Sequence, residues 1–156
     1  MRRKDREVTD LRKIEEILAN ARVLHLGLFD ETFPYVVPLH YGYQLLDGKL
    51  SFFIHCAREG HKLDCLRKNS NVFVEIDCGE ALIEAEQPCA FGAEYACVMC
   101  RGKAVIPEAA PEKRKALEAL MKTQTGREYE ISEKMTAAVC VIRIDVESCT
   151  AKARVR

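Results

Sequence analysis

Four histidines, eight cysteines and one glycine-flanked basic cluster are the residues of this chain whose types and spacing could do chemistry. The cluster lies in Phe52-Phe53-Ile54-His55-Cys56-Ala57-Arg58-Glu59-Gly60-His61-Lys62-Leu63-Asp64, which reads as a strand entering a short helix through a glycine turn. A helix N-terminus leaves backbone N–H groups unpaired and carries partial positive charge, so it suits a phosphate or another anion. Lys62 adds a mobile positive charge aimed at the same place. Basic side chains at a helix start oppose the dipole unless an anion is present, and the competing reading is that they are simply solvated. No Gly-x-Gly-x-x-Gly and no Walker loop occurs, so the cluster does not specify a nucleotide site alone.

The histidines differ in setting. His25 alternates with Leu24 and Leu26 on a strand, which suits a structural or solvent-facing role. His40, after Pro38-Leu39, could line a ligand cleft. His61 belongs to the anion-binding helix start. His55 ends a strand just before the glycine turn, where it could contact cofactor or substrate or be a satisfied structural histidine. Its titration near neutral pH would suit proton delivery to a reduced ligand. Asp64 and Glu75 read as surface carboxylates, and no hydrolase nucleophile elbow is present.

The cysteines (56, 65, 78, 89, 97, 100, 140 and 149) fall mostly in apolar runs, where free thiols pack as small hydrophobes. Only Cys97 and Cys100 have redox or metal spacing. On a strand, positions three apart face opposite sides, and no second Cys-x-x-Cys completes a zinc site. Core packing is the expectation, and no metal is expected.

Lysine plus arginine (24) equals aspartate plus glutamate (24), so no global field favours nucleic acid or an anionic membrane. No apolar run reaches the roughly 18–20 residues of a membrane span. The basic start is followed by an amphipathic helix rather than an apolar secretory segment, which points to the cytoplasm. The length suits one domain over 1–156.

The elements that must position these residues are legible in outline. A helix is expected over 9–20 with Thr9 or Asp10 as cap, then a strand from Val23 to Phe29 with Asp30-Glu31-Thr32 as its turn. Tyr35 to Gln44 reads as one strand in which Pro38 implies an edge, a bulge or a break. Asp47-Gly48 marks a hairpin to the strand of residues 49–55, and 60–68 reads as a helix. Val72 to Asp77 alternates as a strand, which Leu82 to Glu86 could continue. Gln87 to Glu94 reads as a loop and Tyr95 to Ile106 as a strand with a possible bulge at Gly102. A helix from Pro111 ends before Gly126, and Ala137 to Val146 is the last strand, followed by a short basic tail. Six or seven strands joined by hairpin-length connections, with three helices, favour an antiparallel barrel or sandwich over a doubly wound sheet.

Several motifs together carry a resemblance. Met1-Arg2-Arg3-Lys4 with its helix, Pro34-Tyr35-Val36-Val37-Pro38-Leu39-His40-Tyr41-Gly42, Phe53-Ile54-His55-Cys56-Ala57 with Gly60-His61-Lys62-Leu63-Asp64, and Gly102-Lys103-Ala104 span nearly the whole chain. In this order and spacing the chain is similar to the FMN-binding split-barrel family related to pyridoxamine 5′-phosphate oxidase. Within it, the chain resembles the nitroimidazole-resistance (Nim) proteins. The resemblance implies a mainly β fold with helices, a six-stranded antiparallel split barrel, and a homodimer with two FMN molecules bound where the subunits meet.

It further implies that Val36, Val37, Pro38 and Leu39 run beside the isoalloxazine. His55, Cys56 and Ala57 would approach the flavin and its ribityl chain, and His61 and Lys62 would reach the phosphate. By the same resemblance His55 is the catalytic candidate, while the 87–95 loop and Tyr95 would close the site, from the same or from the other subunit. Relatives often carry Tyr-x-Ser-Val where this chain reads Tyr95-Ala96-Cys97-Val98, so a hydroxyl contact from that strand is lost. The implied activity is an FMN-dependent oxidoreductase, a reductase of small planar acceptors such as nitroaromatics. A non-catalytic flavin carrier or sensor and a haem-binding split-barrel protein are the alternatives. Pyridoxamine-phosphate oxidase activity is not expected, since no extra phosphate site for that substrate is evident.

Overall fold

Alternation of apolar and polar residues builds most of the chain into antiparallel strands. The computed structural model describes residues 3–154; Met1 and Arg2 of the N-terminal motif lie outside them. The strands are β1 (Glu7–Val8), β2 (Val23–Phe29), β3 (Pro34–His40), β4 (Gly42–Leu46), β5 (Lys49–Cys56), β6 (Asn71–Ile83), β7 (Gly92–Val105) and β8 (Cys140–Arg154). The helices are α1 (Leu11–Asn20), α2 (His61–Lys68), α3 (Ala110–Thr125) and α4 (Glu133–Ala138). Strand order is β3-β2-β6-β7-β8-β5-β4, with β1 added beside β8.

This corrects the expected six-stranded barrel in two respects. There are eight strands among the described residues, because Tyr41 divides the expected 35–44 strand and because Glu7 and Val8 pair with β8. The hydrogen-bonded order is also open, with no ladder joining β3 to β4 among the described residues. The sheet nevertheless curls, since β3 comes into contact with β5.

Tyr41 breaks the strand for a reason. Its ring is fully buried against Phe52 (5.9 Å between centroids, near-perpendicular), and its hydroxyl donates to the Leu18 carbonyl at 2.7 Å. Burial raises its pKa well above the usual phenol value. Such a phenol pins α1 to the sheet, and Asp10 caps α1 by accepting from the Arg12 N–H at 3.0 Å. Gly79 lies within the register shift that bends β6, and a second shift falls between Arg101 and Gly102 of β7, where a bulge was expected.

Parity divides every strand into an inner and an outer face. The inner residues, among them Leu24, Leu26, Phe52, Ile54, Val74 and Ile144, form the main core together with Leu63 and Leu66 of α2. A fully buried side chain of this size contributes roughly 1.5–3 kcal/mol.

The outer face has two unlike halves. Over β4, β5 and β8 it is covered by α3, whose Ala116 packs with Phe53 and Val141 in a second cluster. The approach is close at Gly42, where a Cβ would sit 2.3 Å from the Leu120 backbone nitrogen. Arg22 donates to the Thr123 and Gln124 carbonyls at 3.1 and 3.0 Å, capping the end of α3. Over β2, β3, β6 and β7 no helix covers the outer face among the described residues; α1 and α2 pack toward the inner core.

Candidate functional site

The segment from His55 to Lys62 folds as its sequence suggests. β5 ends at Cys56, Gly60 (φ 140°) turns the chain, and α2 begins at His61 without a side-chain cap. Few residues other than glycine adopt that φ. The Gly60 carbonyl accepts from Leu63 and Asp64 at 2.9 and 3.3 Å, so these bonds start at the third helical residue and leave the His61 and Lys62 N–H groups at the open end.

This open end lies beside β3. The His61 ring stands 5.0 Å from that of Tyr35, and Lys68 pairs with Glu31 at 2.6 Å, tying α2 to the turn between β2 and β3. The two motifs, separated in sequence by residues 43–52, are thereby neighbours in space. β3 ends the hydrogen-bonded order, so one side of its backbone has no ladder partner. Pro38 sits on that edge strand, one of the placements its missing N–H allows.

Not all the expected site residues face one way. On β3, Val36 and Pro38 are exposed on the outer face, while Val37 and Leu39 pack against the core. On β5, His55 shares the outer face with Phe53, and Cys56 packs against the main core with Ile54. The side chains of His55 and Cys56 therefore point to opposite sides. Burial raises the Cys56 pKa, partly offset by the Lys62 ammonium, so these two groups sense one another across the turn. Ala57 is exposed.

His61 Nε2 is 3.1 Å from the Asp30 carboxylate and 3.6 Å from Cys65 Sγ. His25 bonds Glu75 at 3.1 Å, as befits a structural histidine. His40, a candidate for a cleft, instead bonds Gln124 at 3.1 Å at the end of α3. His55 has no hydrogen-bond partner among the described residues. Tyr95 is held away from the α2 start: Arg6 donates to its hydroxyl at 3.3 Å, which lowers its pKa, and Lys152 lies over its ring.

A cavity of about 570 Å³ opens on the uncovered outer half, lined by Gly27, Phe29, Phe33, Val36, Phe73 and Arg101 among others. A smaller one of about 310 Å³ contains His61, Asp64, Cys65 and Lys68, and both include Phe29 and Asp30. An apolar cleft thus adjoins a polar cavity that runs along the side of α2 from His61 to Lys68 and is also lined by Asp30, Glu31 and Asp64. The cleft can take a planar apolar group, and the place for an anion is the open α2 N-terminus rather than this acidic cavity. Of the expected cofactor residues, Val36 lines the first cavity and His61 the second; Val37, Pro38, Leu39, His55, Cys56, Ala57 and Lys62 line neither.

Sequence reasoning missed Phe29, Phe33, Phe73 and Arg101 as cleft residues. A signal existed: Phe29 and Phe33 flank a polar turn, which brings two large apolar side chains together at one end of a strand pair.

Residues 10–153 match the sequence profile of the family described as pyridoxamine 5′-phosphate oxidase. Among solved structures, the chain is similar to a proposed 5-nitroimidazole antibiotic resistance protein of Bacteroides thetaiotaomicron. The identity is 32% over 94% of this chain and 86% of that one, with a TM-score of 0.80. A flavocytochrome from Azotobacter vinelandii (18% identity, 100% of this chain and 72% of that one, TM-score 0.80) shares the fold. So does an FAD- and haem-binding protein from Mycobacterium smegmatis (17%, 95% and 73%, TM-score 0.78). No curated protein matches the chain in sequence. No helix among the described residues is long and apolar enough to cross a membrane.

Proposed function

This chain belongs to the pyridoxamine 5′-phosphate oxidase family, and on that premise we propose that it is an FMN-binding reductase of small planar acceptors such as nitroimidazoles and other nitroaromatics. It acts in the cytoplasm as a homodimer, with FMN held where the two subunits meet. The observation that carries this reading is the open α2 start lying beside β3, the strand that ends the hydrogen-bonded order, marked by the 5.0 Å contact of His61 with Tyr35. The first supplies unpaired N–H groups and Lys62 for a phosphate; the second supplies backbone groups for the polar rim of an isoalloxazine.

The division of labour follows from the faces. Lys62 and the α2 backbone bind the phosphate, with His61 oriented by Asp30 beside them. Val36 to Leu39 hold the ring system through the β3 edge, where Val37 and Leu39 are fixed by the core and Val36 meets the cleft. Cys56 and Ala57 contribute backbone at the end of β5. Bound FMN supplies the electron transfer to the acceptor. His55, exposed and without a hydrogen-bond partner among the described residues, orients the acceptor or delivers a proton from its imidazole. The likeness to the proposed nitroimidazole resistance protein supports the substrate class. The uncovered apolar half of the outer face supports the second subunit, which excludes water from the cleft.

The test begins with purified protein and added FMN, read by the flavin band near about 450 nm against a haem band near about 400 nm. Flavin uptake, and reoxidation of the reduced protein by a nitroaromatic in stopped flow, are expected. Lys62→Ala weakens FMN binding while leaving riboflavin binding unchanged, since riboflavin has no phosphate. Equal affinity of the variant and the parent for FMN removes Lys62 from the phosphate site. His55→Ala retains the flavin and loses turnover; full activity in that variant removes its catalytic role.

A further inference from the structure

Strand β8 carries two cysteines, and each one faces another cysteine across a ladder: Cys149 faces Cys100 of β7, and Cys140 faces Cys56 of β5. Cys97 instead faces Lys152, and Cys78 faces Ala96. We propose that Cys100 and Cys149 form a reversible dithiol–disulfide site, oxidised by hydrogen peroxide or small organic hydroperoxides and restored by dithiol reductants. The site is independent of the flavin reading.

Geometry is the first support. The two residues are directly paired on adjacent antiparallel strands, so their side chains share a face, and their sulfurs stand 3.1 Å apart. Directly opposed residues have Cα atoms about 4.5–5.5 Å apart, inside the range a disulfide spans, and the bonded S–S distance is about 2.05 Å. Side-chain rotation closes that gap without moving either strand.

Access and reactivity are the second support. Cys149 is exposed and Cys100 is buried, next to the β7 bulge that opens the ladder at Arg101/Gly102. The Cys100 thiol donates to the Cys149 sulfur, and that bond lowers the Cys149 pKa while it and burial raise that of Cys100. The accessible sulfur is thus the readier thiolate and the buried one the resolving thiol. In the other pair neither Cys56 nor Cys140 is exposed, so it lacks the accessible sulfur that Cys149 offers.

The chemistry balances. The Cys149 thiolate attacks one peroxide oxygen, the O–O bond breaks, and the leaving hydroxide takes a proton to become water, giving a sulfenic acid on Cys149. The Cys100 sulfur then attacks the Cys149 sulfur, forming the S–S bond and breaking the S–O bond, and its proton leaves with the hydroxide as a second water. Two thiols are oxidised by two electrons and one peroxide is reduced.

The experiment uses the full-length reduced protein, titrated with hydrogen peroxide, alkylated under denaturing conditions, and analysed by intact mass and peptide mapping. Of the eight thiols, two become unblockable, and one peptide pair joins Cys100 to Cys149, about 2 Da lighter than its free parts. Dithiothreitol restores both thiols. Cys149→Ser abolishes the link. Cys100→Ala stops at a Cys149 sulfenic acid, trapped by dimedone, and its Cys149 alkylates only at higher pH than in the parent. Far-UV circular dichroism checks that both variants are folded. Eight alkylable thiols after peroxide, a link between Cys56 and Cys140 in its place, or a Cys149–Cys149 link between chains each overturns the proposal.

Discussion

The two halves of the outer sheet face are both built of antiparallel ladders and have opposite fates. Over β4, β5 and β8 the chain lays α3 across the sheet and buries Phe53 to 7% exposure and Val141 fully. Over β2, β3, β6 and β7 it leaves Phe29, Phe33, Val36 and Phe73 at 62%, 75%, 58% and 42% exposure. Contiguous apolar side chains on a sheet face normally have a cover. The first half is finished by the chain itself, and the second is left for something outside it. Stability therefore belongs to the α3 side, and assembly and ligand binding are proposed for the other.

That contrast can be broken by substitution. Phe53→Ala on the covered half is expected to cost roughly 3–5 kcal/mol in urea unfolding, the range for an aromatic deleted from a packed core. A cost below about 1 kcal/mol, the range of a surface change, would mean that α3 does not seal that half. Gly42→Ala drives a Cβ into the α3 backbone and is expected to cost about 1–3 kcal/mol as the helix is pushed outward. An unchanged midpoint would contradict the close approach.

Gln124→Ala tests the joint between α3 and the β3–β4 break. Its amide donates to the Tyr41 and Arg22 carbonyls at 2.8 and 3.2 Å, and its carbonyl oxygen meets His40. Leaving the buried Tyr41 carbonyl unpartnered is expected to cost about 1–2 kcal/mol. Phe73→Glu on the uncovered half should change the stability of the separated subunit by no more than about 0.5 kcal/mol, as surface substitutions do. If the proposed homodimer forms through this half, its effect should instead be on assembly, read by sedimentation as a shift from dimer to monomer. A large loss of subunit stability would show that Phe73 belongs to the fold.

Local chemistry made much of the architecture legible. The strand from Val23 to Phe29 is observed residue for residue, the helix after Pro111 stops at Gly126, and the hairpin turns at Asp47-Gly48. What failed was non-local or ambiguous. Ala137 and Ala138 read as the start of a strand, yet Ser132 accepts from the Met135 N–H and caps α4 through Ala138. The aperiodic segment before Tyr95 joins β7 from Gly92, because pairing with the far end of β6 supplies the order its own pattern lacks.

The site was legible in its parts more than in its facing. The helix start and the β3 motif lie side by side at Tyr35 and His61, but a strand expected to stop at His55 left the side of Cys56 undetermined, whereas β5 runs through both. The cysteines divide in the same way. Cys97 and Cys100 do face opposite sides, as strand parity requires, and six of the eight are at least half-buried. Cys89 and Cys149 are exposed, against the expectation of core packing, and the partner of Cys100 lies 49 residues away, set by a register that no local pattern encodes.

One consequence concerns the order in which the chain is made. β5 and β7 are not bonded to each other; β8, after every other strand in the chain, lies between them and pairs with both. Before β8 is synthesised, the sheet exists only as two separate ladders, β3-β2-β6-β7 and β5-β4. The nascent chain on the ribosome therefore holds two unjoined fragments with open edges, and they join into one sheet over the core only when β8 emerges.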